Sequence, residues 1–194
     1  MPHEKQVAWR NDVFPIFASM KDKGTSINIL LLSDTHGHID KNILDHALEV
    51  DEIWHAGDIG NVEVIDSLKK IKPVRMVSGN IDDDKIKREV PKEQYFKKKG
   101  IHFFMIHIGG YAGHLPKKIR EKIDSRPTDV LICGHSHLLR VGYDSEKLLC
   151  MNPGAAGNHG FHKIRTMLNF KIQNGKIKDL RVIELGKRGK LQTT

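Results

Sequence analysis

The apolar run that begins at Ile29 and stops at Asp34 constrains the fold of this chain more than any other feature. It is short, and the polar turn 34–38 follows it directly. A continuous apolar run of this length indicates a strand buried on both faces, as in a sheet that lies between two other layers. Open α/β sheets bind ligands past the carboxyl ends of their strands, so Asp34 and His36 are candidate ligand-binding residues. The alternative is an ordinary turn in which the aspartate caps a helix and the histidine faces water.

The first half of the chain alternates strands and helices. Apolar residues recur at helical spacing between short apolar runs. The predicted elements are strand 27–33, helix 41–49, strand 52–56, helix 62–70 and strand 74–77. Because strand–helix–strand connections are right-handed, these three strands are predicted to run parallel in one sheet. The polar turns that follow them, which carry Asp34 and His36, then Asp58, then Asn80, are therefore expected at the same sheet edge.

The second half of the chain is richer in hairpins. We predict strands 94–98 and 101–108 around Gly100, helix 116–123, strand 129–133, a hairpin of 141–143 with 147–151, and a hairpin of 166–173 with 176–185. Asn174-Gly175 in the last hairpin is a strong two-residue turn signal. This order favours an α/β fold with two mixed sheets packed face to face and helices outside. We assign residues 27–186 to one domain, residues 1–26 to an N-terminal appendage and residues 187–194 to a basic tail.

The composition is that of an ordinary water-soluble protein. Hydrophobic residues make up 39% and charged residues 29% of the 194 residues, a length that suits one domain. No apolar run approaches ~20 residues and the N-terminus lacks a signal-peptide pattern, so we expect a cytoplasmic protein with no membrane contact.

Cys133 and Cys150 lie inside apolar runs and are predicted to be buried, reduced thiols. The net charge of +8 would attract phosphorylated molecules, but its clusters at 97–99 and 187–190 are typical of solvated faces.

Seven polar residues follow the predicted strand ends and form the candidate site. They are Asp34, His36, Asp58, Asn80, His107, His135 and His137. One histidine in a turn is usually only solvated, but five separate strand ends that each supply a ligand type are hard to produce by chance. Imidazole with carboxylate suits manganese, iron or zinc. If Asp58 bridges, the set is sufficient for two adjacent metal ions, an arrangement that promotes phosphoryl transfer.

These residues resemble the five motifs of the calcineurin-like metallophosphoesterases. The matching segments are Asp34-Thr35-His36, Gly57-Asp58, Gly79-Asn80, the His107 turn and Gly134-His135-Ser136-His137. The compact length and Asn152-Pro153-Gly154 resemble the small bacterial and archaeal phosphodiesterase branch, which shares its fold with the retromer scaffold subunit.

The resemblance implies a four-layer αββα sandwich that binds two divalent transition metal ions. Manganese is favoured, and zinc, iron or nickel are alternatives. One metal would take Asp34, His36, Asp58 and His137, and the other would take Asp58, Asn80, His107 and His135.

Two positions depart from the family pattern. Ile81 stands where many members have a histidine that stabilises the transition state or protonates the leaving group, and isoleucine cannot move a proton. The small branch commonly lacks that histidine too, so its absence favours substrates with good leaving groups. The family often shows His-Gly-His where this chain has His107-Ile108-Gly109, which retains the metal ligand but leaves the substrate contacts there uncertain.

Several further residues are candidates for contacts with the substrate. His38, two positions beyond His36, is a candidate catalytic residue together with Asp58 and Asn80. Candidate contacts to the substrate phosphate are Arg165, His159 and His162. Exposure at the surface is the alternative explanation for these side chains. His55, just before Gly57-Asp58, is expected to support a ligand as a hydrogen-bond donor.

The function hypothesis is a metal-dependent phosphoesterase, with phosphodiesters favoured over monoesters. A metal-bridging hydroxide would attack the phosphorus of a small phosphate ester in line. The alternative is a non-catalytic protein-binding scaffold of the same fold, a path marked by loss of ligands, and none of the seven is lost. Binding of nucleic acid through the basic surface, which predicts salt-dependent affinity, is a third option that no feature singles out. We expect a homo-oligomer, either a dimer or a tetramer.

Overall fold

The computed structural model describes residues 26–189, so residues 1–25 of the predicted appendage and 190–194 of the predicted tail lie outside the described residues. In chain order the elements are β1 (Ile27–Leu32), α1 (Lys41–Leu48), β2 (Glu52–His55), α2 (Val62–Lys69), β3 (Val74–Met76), α3 (Asp84–Glu89), β4 (Glu93–Lys98), β5 (Ile101–Ile106), α4 (Lys117–Asp124), β6 (Val130–Ile132), β7 (Leu139–Tyr143), β8 (Leu149–Pro153), β9 (Ile164–Gln173) and β10 (Lys176–Lys187). Within residues 26–189, none of the helices combines the length and the apolar character needed to cross a membrane.

The strands form two mixed sheets of five strands each. Their orders are β10-β9-β1-β2-β3 and β4-β5-β6-β8-β7. Strands β1, β2 and β3 run parallel, and so do β5, β6 and β8. Antiparallel strands complete both sheets. The prediction of two mixed sheets is therefore confirmed, including the parallel arrangement of the first three strands.

The side chains of β1 alternate between two apolar layers, which explains its continuous apolar sequence. Leu30 and Leu32 pack with apolar residues of α1, α2 and α3 on one face of the sheet. Ile29 and Leu31 face the second sheet, and fully buried Trp54 of β2 belongs to the same cluster. A third apolar cluster lies between the second sheet and α4. The order of layers is therefore helix, sheet, sheet, helix, and the predicted αββα sandwich is confirmed.

Helix α3 was not predicted from the sequence, and one hairpin differs in its bounds from the prediction. Helix α3 has six residues, of which Ile86 is buried, so its sequence shows no apolar period that could reveal it. Strand β8 begins at Leu149, two residues later than predicted. The reason lies in the turn before it, where the Asp144 carboxylate accepts hydrogen bonds from the backbone N–H groups of Glu146 and Leu148. This turn keeps those residues out of the sheet.

Candidate metal centre

The turns after four parallel strands bring six candidate ligands together. Asp34 and His36 follow β1, Asp58 follows β2, His107 follows β5, and the turn after β6 carries two more histidines. The six residues form two groups in which the ligand atoms lie within 4.8 Å of one another. The first group is Asp34, His36 and His137, and the second is Asp58, His107 and His135. These are residues that the sequence analysis assigned to two neighbouring metals.

The Asp58 carboxylate lies between the two groups. Its Oδ2 atom is 3.8 Å from His36 Nε2, and its Oδ1 atom is 3.2 Å from His107 Nε2. Within the first group, His137 Nε2 is 3.2 Å from Asp34 Oδ1 and 3.2 Å from His36 Nε2. Asp58 thus faces ligands of both groups, as a bridging ligand must, and Asp34 Oδ1 also lies 3.9 Å from His107 Nε2 of the second group.

His107 gives a direct test of whether these residues fit a metal. Its Nδ1 donates to the backbone carbonyl of Ala56 over 2.8 Å, so the neutral ring carries its lone pair on Nε2. That Nε2 atom is buried and, among the described residues, has no hydrogen-bond partner, although Asp58 Oδ1 lies near it. Buried nitrogen lone pairs are rarely left unsatisfied. A metal ion would satisfy the lone pair of His107 Nε2, so the residues present fit a metal ion.

The pKa shifts of residues in the two ligand groups agree with a site that binds a cation. Burial lowers the pKa of His36 below its ordinary value. Burial alone would also lower the pKa of His107, but Asp58 and Asp34 beside it raise that pKa above its ordinary value. Burial opposes ionisation of Asp58, yet the neighbouring His107 holds the pKa of this carboxyl below its usual range. Asp58 is therefore a carboxylate near neutral pH, which is the form that binds metal.

Five of the six grouped residues have a left-handed backbone. The φ angles are 54° for Asp34, 48° for His36, 53° for Asp58, 67° for His135 and 57° for His137. Each such residue costs about 1–3 kcal/mol when it is not glycine, and such strain clusters at functional sites. The turns are therefore held in place by the surrounding fold, in a geometry that brings the five side chains into the two ligand groups.

Backbone N–H groups orient both aspartates. The His135 N–H lies 3.2 and 3.1 Å from the two Asp34 oxygens, and Asp34 is fully buried. The Ile81 N–H donates to Asp58 Oδ1 over 3.1 Å. Asn80, the seventh predicted ligand, is exposed and stands next to Ile81 at the same turn. Its neighbour Gly79 packs so closely on Asp58 that a Cβ atom would lie 2.0 Å from Oδ1.

Two residues that help to build these turns were missed by the sequence analysis. Both oxygens of the buried Asp82 carboxylate accept backbone N–H groups, from Gly60 over 2.8 Å and from Gly79 over 2.7 Å. Thr35 is fully buried between Asp34 and His36. Asp82 is the first of three consecutive aspartates in the sequence, and no local pattern distinguishes it from the other two.

The candidate catalytic residue His38 is held by two neighbours at the edge of the site. Its Nε2 is 3.2 Å from Asp40 Oδ2, and its Nδ1 is 3.1 Å from Asn158 Nδ2. It lines a cleft of about 400 Å³ that opens beside the first group. The other residues that line this cleft are His36, Gly60, Ile81, Asn158 and His159.

The three candidate phosphate contacts occupy different positions. The exposed ring of His159 lies 5.1 Å from the ring of His36. Buried His162 donates from Nε2 to the Gly157 carbonyl and lies behind His137, with ring centroids 5.4 Å apart. Each of His162 and Arg165 has one buried nitrogen without a hydrogen-bond partner among the described residues.

Arg165 is less accessible than the sequence analysis assumed. It is buried, with 6% of its surface exposed, and its NH1 group donates to Asp40 Oδ2 over 2.8 Å. This pairing holds the pKa of Asp40 below its ordinary value against the opposing effect of burial. His159 is thus placed at the cleft, whereas Arg165 reaches the site through Asp40 and His38.

Residues 27–175 match the calcineurin-like phosphoesterase superfamily domain. A probable metallophosphoesterase of Methanocaldococcus jannaschii is 31% identical over 138 residues, which make up 68% of this chain and 69% of that protein. Among solved structures, a novel archaeal phosphodiesterase is similar with a TM-score of 0.64 and 23% identity, over 82% of this chain and 100% of that one. Vps29 of Chaetomium thermophilum has a TM-score of 0.65 and 16% identity, over 83% of this chain and 99% of that one. The two structural likenesses show a shared fold.

Proposed function

Because the chain belongs to the calcineurin-like phosphoesterase superfamily, we propose that it hydrolyses phosphodiesters with the help of two divalent metal ions. The observation that carries this proposal is the pair of ligand groups with the Asp58 carboxylate between them. The two groups would each hold one ion, and Asp58 would also be a ligand of the first ion. By the family resemblance, the first ion would then take Asp34, His36, Asp58 and His137, and the second would take Asp58, Asn80, His107 and His135.

The bound ions would supply a water of lowered pKa as the nucleophile and a Lewis acid for the phosphoryl oxygens. Manganese is the metal that we propose, because mixed imidazole and carboxylate ligands suit it, with zinc, iron or nickel as alternatives. The protein would contribute the fixed positions of the ligands, since the N–H groups of His135 and Ile81 orient the two aspartates.

The charge of the cleft favours a diester over a monoester. Among the described residues, those that line the cleft include neither lysine nor arginine. The nearby Arg165 is buried and paired with Asp40. A phosphomonoester carries a charge of roughly −1.5 to −2 near neutral pH, whereas a diester carries a single negative charge. The diester therefore needs less compensation from side chains, and it is the better match to this cleft.

The position after Asn80 favours substrates with good leaving groups. Ile81 lies at the cleft and is 44% exposed, but its side chain cannot donate a proton. Both ring nitrogens of His38 contact neighbours, so His38 would have to give up its contact with Asp40 or Asn158 to donate a proton to the substrate. Aryl diesters, whose leaving group departs as a stabilised anion, are the substrates that we expect to react fastest.

The proposal is tested by assaying hydrolysis of an aryl phosphodiester and an aryl phosphomonoester after chelation, with and without added manganese. Asp58→Asn is expected to lose activity by several orders of magnitude because it weakens both metal positions at once. Asp45→Asn is the matched control, since it removes an exposed carboxylate of α1 that pairs with Lys41. Wild-type protein that binds two manganese ions and hydrolyses neither ester would refute the proposal.

The alternative function is a protein-binding scaffold of the same fold. The fold similarity to Vps29 is the observation that favours it. Vps29 of Entamoeba histolytica has been solved in complex with Zn²⁺, so bound metal alone does not exclude the scaffold, and hydrolysis of an ester separates the two ideas. Purified protein that contains no metal, and takes up none when manganese is added, would favour the scaffold.

A further inference from the structure

The turn that carries Asp34 and His36 is anchored by the residue between them. Both ligands have left-handed φ angles, and Thr35 is fully buried. The Thr35 hydroxyl donates to the backbone carbonyl of Ile59 over 2.9 Å. Because Ile59 directly follows Asp58, this hydrogen bond ties the first ligand turn to the second.

His55 completes the connection from the end of β2. Its ring is fully buried, and the Gly57 N–H donates to its Nδ1 over 3.2 Å. Nδ1 therefore carries no proton, and the proton of the neutral ring lies on Nε2. Nε2 is 2.9 Å from Thr35 Oγ1 and donates to it, because the hydroxyl proton is already used at Ile59. Burial also lowers the pKa of His55 to about 4, in agreement with a neutral ring.

We propose that His55 is a positioning residue that acts through Thr35 and holds the strained Asp34–His36 turn in its metal-binding conformation before any metal arrives. The inference rests on the proposed function, because it presupposes a metal at this turn. The role of His55 is therefore not direct support of a ligand side chain, since its hydrogen bonds within the described residues go to Thr35 and Gly57.

The physical reason is preorganisation. A left-handed pair of non-glycine residues relaxes toward other backbone conformations when nothing holds it. If the turn relaxed in the metal-free protein, binding would have to restore it, and the affinity for metal would fall accordingly. Loss of a partner behind the metal ligands typically weakens metal binding about 10–100-fold.

Two substitutions of Thr35 separate the hydroxyl from the shape of the side chain. Thr35→Val is nearly isosteric and removes the hydroxyl, whereas Thr35→Ser keeps it. Manganese binding to the metal-free proteins is measured by titration calorimetry, and thermal melting of the same samples reports stability. We expect Thr35→Val to weaken one of the two manganese positions about 10–100-fold. Thr35→Ser should bind both ions with affinities of the wild-type order.

A double variant distinguishes positioning from a merely structural role. Thr35→Val alone leaves the His55 N–H without an acceptor, which destabilises the fold, whereas Thr35→Val with His55→Leu removes both members of that pair and leaves only the Gly57 N–H without its acceptor. We expect the melting temperature to recover in part in the double variant while manganese affinity stays low. Thr166→Val is the matched control, because this buried hydroxyl donates to the Pro153 carbonyl. The control should lose stability and keep manganese affinity.

Manganese affinity that recovers with the melting temperature in the double variant would overturn the inference, and so would unchanged affinity in folded Thr35→Val protein. Failure of the proposed function has a different signature. In that case the wild-type protein binds no pair of manganese ions, or binds them and hydrolyses neither ester class.

Discussion

Replacement of Gly79 by alanine is expected to disable the metal centre although it changes no ligand. A Cβ atom at this position would lie 2.0 Å from Asp58 Oδ1 and 2.3 Å from the Asp58 backbone nitrogen. Real Cβ atoms essentially never approach a neighbour within 3.0 Å, so Asp58 must move away by 1 Å or more. Displacement of a catalytic group by about 1 Å costs on the order of 100-fold in rate. Because Asp58 faces both ligand groups, its movement would disturb both metal positions.

The assay compares kcat/KM for an aryl phosphodiester in saturating manganese, together with the melting temperature and the bound manganese per chain. We expect kcat/KM to fall on the order of 100-fold in folded Gly79→Ala protein. Gly142→Ala is the matched control. Neither glycine has a positive φ, and the nearest atom to a Cβ at Gly142 is that of Ala112 at 4.0 Å. The control should keep full activity and gain about 0.4–1 kcal/mol of stability, since alanine restricts the unfolded chain.

Folded Gly79→Ala protein with activity and manganese content of the wild-type order would refute this reasoning. Such a result would mean that Asp58 can retreat without leaving its place between the two groups. If the Gly79→Ala protein is unfolded at the assay temperature, its unfolding is measured again with added manganese. The ion should restore folding only if Asp58 still binds it.

Three further outcomes are expected. Burial raises the pKa of Cys133 to about 12 and that of Cys150 to about 11, so neither thiol should react with a disulfide reagent near neutral pH until the protein is unfolded; rapid reaction of the native protein would contradict this. Ile81→His, at an exposed position of the cleft, should raise hydrolysis of alkyl diesters about 100-fold by supplying a general acid. The same change at exposed Ile108 should not, and equal gains would refute the assignment. Manganese at 100 times the dissociation constant of each position should stabilise the metal-free protein by about 2.7 kcal/mol per bound ion, a difference that urea unfolding with and without the ion measures.

The layers of the fold were predictable because they depend on local periodicity. The apolar run of β1 places residues on two buried faces in alternation, and this requirement is visible in the four consecutive apolar residues 29–32. Right-handed crossovers then order the parallel strands. Helix α3 escaped prediction because one buried side chain, Ile86, gives no period.

The convergence of six of the seven candidate ligands was also predictable, because parallel strands deliver the residues that follow them to one edge. The side-chain types of the seven residues and their positions after strands can be read from the sequence without any interatomic distance. What the sequence could not supply was how each side chain is used. Arg165 appeared to be a free phosphate contact, but folding places its guanidinium against Asp40, 125 residues away in sequence. That pairing depends on tertiary packing and leaves no local pattern.

The turn 34–38 shows where sequence information ends. The sequence by itself determined that a carboxylate and an imidazole follow a buried strand, and that later strands bring similar residues beside them. Only the tertiary structure decided that Asp34 and His36 adopt left-handed backbones, that Asp58 faces both ligand groups, and that His55 anchors the turn through Thr35. Strained turns survive only where contacts distant in sequence hold them, so their geometry belongs to the packed fold.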